Sequence, residues 1–195
     1  MTTPALVPNV VRVELAHAAV QRLAESVGVD LLHIKGPAVH PGLRAVRSNS
    51  ADVDVIVRPE GVEPLMDALA AHEWVIETDF LGGSPFDHAA NLYHPSWGLL
   101  DVHRLYPGME QDPSSAFESL WRRREEVSLA HVACPVPEPL AQSLVLLLHA
   151  ARTHHGAEAH PDLAPNWQHR SPEDRARIRE IARETGATVG LAAAI

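Results

Sequence analysis

Asp52-Val53-Asp54-Val55-Ile56-Val57 lies between the loop residues Ser48-Asn49-Ser50 and Pro59-Glu60. A run that is β-branched apart from its acids, bounded by turn formers, predicts a strand. Strand side chains alternate, so Asp52 and Asp54 share a face. Two carboxylates among valines and an isoleucine are costly unless positive charge lies between them. Mg2+ meets that need, because it binds through one or two carboxylates plus substrate phosphates. The same pattern also fits a strand end with two solvated acids.

Upstream, Val29 to Ile34 (VDLLHI) reads as a short buried strand that Lys35-Gly36-Pro37 breaks. Pro37 suits the first turn of a helix, and a brief helix to about Leu43 is expected. Amides at a helix N-terminus, with a lysine beside them, make an anion site. Walker spacing is absent, so this is not a P-loop. An ordinary turn with an exposed lysine is the alternative. Before it, Ala16, Val20, Leu23 and Val27 mark a helix from Asn9 to Gly28.

Downstream, Pro59-Glu60 opens a helix with a Val62, Leu65, Met66, Leu69, Ala70 stripe, and Trp74 to Thr78 reads as a strand. Ala89 to His94 and Leu99 to Leu105 form a hairpin around Pro95-Ser96-Trp97-Gly98. Asp101 is a single acid in its second arm, and His103 shares its face. A buried acid paired with His103 or Arg104 is the plainer reading. The rest predicts a helix over Ser114–Arg124, a strand over Val127–Val136, a helix over Pro139–Thr153, a loop over 156–171, a charged helix over 172–185 and an apolar tail. The expected architecture is α+β: a mixed sheet of four or five strands within 29–136, with helices on one side, and a helical C-terminal part. Two regions follow, a core over 1–136 with its N-terminal helix and a helical region over 137–195.

The chain has 195 residues and a net charge of −9, with one cysteine, Cys134, and 13 histidines. One cysteine excludes an internal disulfide framework. The acidic balance argues against duplex DNA. The N-terminus carries no secretory signal pattern, and the Leu144–Leu148 run is far short of the about 20 residues of a membrane span. A soluble, cytoplasmic protein with no membrane partner is expected. His149, His154, His155 and His160, with His88 and His94, lack zinc-motif spacing with cysteine or glutamate. A histidine-centred metal hydrolase using His149, His154 and His155 is a third reading beside those below.

Strand, glycine turn, Asp-x-Asp strand and a later strand with one acid is the plan of the DNA polymerase β-like nucleotidyltransferases, which the chain resembles. It looks closest to an uncharacterised bacterial branch, through HIKGPAV (33–39), RSNSADVDVIV (47–57) and LLDVHR (99–104). The similarity covers residues 29–105 and extends weakly through HAARTHH (149–155). Lys-Gly replaces the usual Gly-Ser, and the C-terminal part is short.

The resemblance implies metal-binding and catalytic roles for Asp52, Asp54 and Asp101, and nucleotide-side roles for Lys35, Gly36 and Arg47. It also implies supporting roles for His103 and Arg104. Arg47 stands one residue farther from the Asp-x-Asp than is usual. The implied activity is transfer of a nucleoside monophosphate from an NTP to an acceptor hydroxyl, dependent on Mg2+ or Mn2+. The acceptor is a small molecule, peptide, protein or RNA. The alternative is a catalytically silent module that binds a partner or nucleotide.

Overall fold

The structure is a computed structural model, described for residues 7–44, 50–80, 89–153 and 160–195. Asp52–Val57 is a strand, β2, in a five-stranded mixed sheet. Its partners are β1 (Leu31–Ile34), β3 (Val75–Thr78), β4 (Ala89–His94) and β5 (Gly98–His103), in the order β1-β2-β5-β4-β3. β2 and β5 run parallel and the other pairs antiparallel.

Helices pack on both sheet faces, not one, and on the second face they cover β1 and β2. Val53, Val55, Val57, Leu31, Leu100, Val102, Ala90 and Leu92 form one core with Ala16, Val20 and Ala24 of α1 (Asn9–Ser26) and with Leu65 and Leu69 of α2 (Val62–Ala71). The alternate residues Leu32, Ile34 and Ile56 enter a second core. There they meet α3 (Pro113–Trp121), α4 (Pro139–Ala151), α5 (Pro172–Glu184) and α6 (Thr188–Ala194). Asp52 and Asp54 belong to this second face, in alternation with the valines.

Four expected elements differ, the first being the loop expected over 156–171, which holds a π-helical turn at Ala164–Gln168. The strand expected over Val127–Val136 is a separate hairpin, β6 (Glu125–Leu129) and β7 (Val132–Val136), packed on β1 and α1. Ala130 and His131 turn it with positive φ angles, a two-residue geometry that Asn-Gly signals in sequence and Ala-His does not. Where one helix was expected after Lys35, two 3-10 turns stand, Gly36–Ala38 and Pro41–Leu43. Pro41 has no N–H for a continuing helix and excludes helical backbone before it. The apolar tail is the helix α6.

The start of α1 fixes the approach to β2. Asn9 Nδ2 donates to the Ser50 carbonyl at 3.1 Å. Arg12 donates to the carbonyls of Trp97 at 2.8 Å and Ala51 at 3.4 Å. No described helix is long and apolar enough to cross a membrane.

Candidate active site

The parallel register sets Asp54 of β2 opposite Asp101 of β5, and alternation puts His103 on their face. One ligand atom from each of Asp54, Asp101 and His103 lies within 4.8 Å of the other two. Asp54 is 2% exposed. Its Oδ1 accepts from the Lys35 ammonium at 2.5 Å and faces His103 Nε2 at 3.3 Å. Lys35 is therefore no exposed turn lysine: its side chain is 16% exposed. The positive charge that the buried acids require is present within the chain.

Asp101 does not pair with Arg104, whose guanidinium lies over the Phe80 ring at 5.4 Å. Its Oδ1 accepts from Asn91 Nδ2 at 2.5 Å, and Asn91 Oδ1 accepts from the Thr78 hydroxyl at 2.5 Å. Asp52 stands outside the three-residue cluster, half-buried, with Oδ1 accepting from the Ser50 hydroxyl at 2.8 Å. Arg47 lies outside the described residues.

The two facing carboxylates are pushed apart in acidity. Burial would raise Asp54, but the His103 hydrogen bond and the Lys35 charge outweigh it and hold its pKa below the usual carboxylate value. Burial and the Asp54 charge raise Asp101, against the Asn91 hydrogen bond. Burial opposes the Lys35 charge, but nearby Tyr106, Asp54 and Asp52 raise its pKa above the ordinary lysine value. Such separation of neighbouring carboxylates suits one to remain ionised and the other to take a proton.

The Lys35-Gly36 turn is conformationally costly. Lys35 has φ 60° and ψ −172°, a region essentially reserved for glycine and worth about 1–3 kcal/mol of strain. Gly36 follows at φ 51°, and a Cβ there would meet Ser50 Cβ and Oγ at 3.2 Å. Such strain concentrates at functional sites.

Behind this turn a polar chain runs inward from the exposed Glu25 with a fixed direction. The Glu25 carboxylate accepts from Gln21 Nε2 at 3.0 Å, which aims Gln21 Oε1 at His33 Nε2, 3.1 Å away. His33 Nε2 therefore carries the proton, and its Nδ1 accepts from His17 Nδ1 at 2.8 Å. His17 Nε2 is left as a buried lone pair without a partner among the described residues. It lies 3.7 Å from where a Gly36 Cβ would stand.

On the other side of Gly36 and Ser50 opens a cavity of about 640 Å³, walled by Val10, Val13 and Glu14 of α1 and by Glu126 and Leu129 of β6.

The other described histidines singled out in the sequence do not join the Asp54–Asp101–His103 cluster, although burial and the nearby Lys35 charge push the His149 pKa down to about 4. His94 Nδ1 accepts from the Ser96 and Trp97 amides at 3.0 and 3.3 Å and caps the β4–β5 turn. His149 and His160 meet edge to face at 5.8 Å. His88, His154 and His155 lie outside the described residues. Sequence reasoning missed Asn91, Thr78 and Ser50. A lone amide in the apolar Ala89–His94 strand is the signal that marks Asn91. Ser50 is marked only by its place two residues before Asp52.

The family of uncharacterised nucleotidyltransferases matches residues 4–195. The chain belongs to this family. Its fold is also that of two solved structures. Against the lincosamide antibiotic adenylyltransferase LnuA, lincomycin-bound, identity is 17% and the TM-score 0.50, over 88% of this chain and 98% of that one. Against the antibiotic-resistance factor ANT(2'')-Ia, identity is 14% and the TM-score 0.61, over 93% of this chain and 96% of that one. The sequence matches no curated protein. This nucleotidyltransferase-family chain therefore places its sheet, its acid-bearing strands and its buried lysine within an established nucleotidyltransferase fold.

Proposed function

We propose that this family member transfers a nucleoside monophosphate from an NTP to a hydroxyl of a small acceptor. The observation that carries the reading is the Asp54–Asp101–His103 cluster, assembled from two separate strands beside a strained lysine turn. The two facing carboxylates, Asp54 and Asp101, fit a divalent cation, Mg2+ or Mn2+, with Asp52 beside them at the rim and His103 holding Asp54 through Nε2. Such a cation, when bound, neutralises phosphate charge and polarises the phosphoryl oxygens.

The chain's own residues supply the rest. Asp101, whose pKa is raised by burial and the Asp54 charge, accepts the proton of the acceptor hydroxyl as its oxygen bonds to the α-phosphorus. The bond from that phosphorus to the bridging oxygen breaks, and pyrophosphate leaves with the electron pair. Lys35 and the Gly36 amide offset the phosphate charge, and His103 orients Asp54.

Isothermal titration with each of the four NTPs, with and without Mg2+, tests this. The expected result is Mg2+-dependent binding of one or more NTPs, lost in Asp54→Asn. Binding of none, or binding that Asp54→Asn leaves intact, overturns it.

A second reading, a silent nucleotidyltransferase-fold module, is favoured by the Lys35–Asp54 pair, which makes the buried acid tolerable without metal. On that reading Mg2+ plus NTP leaves the melting temperature unchanged. On ours the melting temperature rises.

A further inference from the structure

Lys35 occupies the place in the acid cluster that a cation would need. Its ammonium touches the same Asp54 oxygen, Oδ1, that faces His103 Nε2. Both partners of the ion pair are largely buried. Two positive charges on one buried oxygen repel each other strongly where the local dielectric is low. Withdrawing the ammonium alone leaves the buried Asp54 charge with only its His103 contact, which is unfavourable. The backbone is bent into a glycine-only conformation to deliver this side chain, so the placement is not that of a surface lysine finding a chance partner.

We infer that Lys35 is a resident counter-ion of the acid cluster, exchanged for a divalent cation only when a polyphosphate is present to receive the ammonium. The inference rests on the nucleotide-transfer reading and adds an order of loading to it. Cation and NTP bind as a coupled pair, and neither cation alone nor a substrate without phosphates opens the site. The coupling is reciprocal, as any linkage between two ligands must be.

Mn2+ binding, followed by electron paramagnetic resonance without nucleotide, tests the exchange. Wild type is expected to bind Mn2+ weakly, and Lys35→Met at least tenfold more tightly, because the competing charge is gone. Lys35→Arg keeps the charge and stays weak. A non-hydrolysable NTP analogue should tighten Mn2+ binding to wild type at least tenfold and to Lys35→Met by a much smaller factor. Equal or weaker Mn2+ binding by Lys35→Met overturns the inference.

A measurement on wild type alone covers the case in which Lys35→Met does not fold. The 15N resonance of the Lys35 ammonium should stay in place on adding Mg2+ and move on adding Mg2+ with the analogue. Movement with Mg2+ alone overturns the exchange. The nucleotide-transfer reading fails separately, when wild type and Asp54→Asn bind Mn2+ and analogue alike.

Discussion

Asp54 and Asp101 are Cα partners across one strand pair, yet they carry opposite electrostatic burdens. Asp54 is held ionised by Lys35 and His103, and Asp101 is lifted by burial and by Asp54. Replacing Asp101 by Asn keeps the shape and the Asn91 contact while removing the proton acceptor. With an acceptor in hand, Asp101→Asn should lower kcat by roughly 10²–10⁴, read by pyrophosphate release, and leave NTP affinity within a few fold. A loss confined to NTP affinity would make Asp101 a binding residue instead. Asp52, Asp54 and Asp101 stand out in the sequence because charged residues in apolar strands demand partners; the structure brings Asp54 and Asp101 together and leaves Asp52 outside their cluster. The identity of their partners was not legible in the sequence. Asn91 reaches Asp101 only through the β4–β5 register, and Lys35 reaches Asp54 only because the turn adopts a backbone that no propensity favours.

Between elements, the seam of α1 with β1 and β5 carries two testable couplings. The first is the Glu25–Gln21–His33–His17 chain. Burial pushes the His17 pKa down from 6.5 to about 4 and that of His33 well below its usual value. Above pH 6.5 both folded and unfolded His17 are neutral and the group is silent. Below 6.5 the unfolded chain takes a proton that the folded chain refuses, so stability falls until about pH 4. The His17 contribution to that loss is about 3 kcal/mol, from about 1.4 kcal/mol per unit. Urea unfolding from pH 7 to pH 4.5 should show the fall, and His17→Asn should flatten it. An unchanged slope would mean that His17 titrates normally.

The second coupling is at Gly98, with φ +88°, where a Cβ would collide with the Arg12 guanidinium. Gly98→Ala should cost about 1–3 kcal/mol, by backbone strain and by loss of the Arg12–Trp97 bond. Adding Arg12→Ala should recover part of that cost in a double-mutant cycle. Strictly additive losses would rule the clash out. The strands and long helices of this region were legible from periodicity. The β6–β7 hairpin was not, because Ala130-His131 carries no turn chemistry.

Across the whole molecule, the decisive feature is that helices pack on both faces of the sheet, the second face being covered over β1 and β2 and open at Leu99 and Tyr93. The sequence reading expected helices on one side, since strands such as Val53–Val57 are apolar throughout and do not show where one face ends and the other begins. In the structure, the face that bears the acids continues directly into Leu32, Ile34 and Ile56, which are packed under the C-terminal helices. Tyr106 joins the two, with its ring 5.5 Å from His103 and its hydroxyl accepting from Arg152 at 3.1 Å. The C-terminal part therefore seals the sheet beside the site, whatever further role it has toward an acceptor. Leu32, Ile34, Ile56, Phe117 and Leu120 are each at most 2% exposed, and each loses about 1.5–3 kcal/mol of burial when the C-terminal helices over it are removed. Losses of that size over the whole second core exceed the about 5–15 kcal/mol by which a domain is stable. A chain ending at Val136 should accordingly show no cooperative thermal transition and should bind a hydrophobic dye. A cooperative transition in that fragment would show that the first core, under α1 and α2, suffices to hold the acid-bearing strands in register.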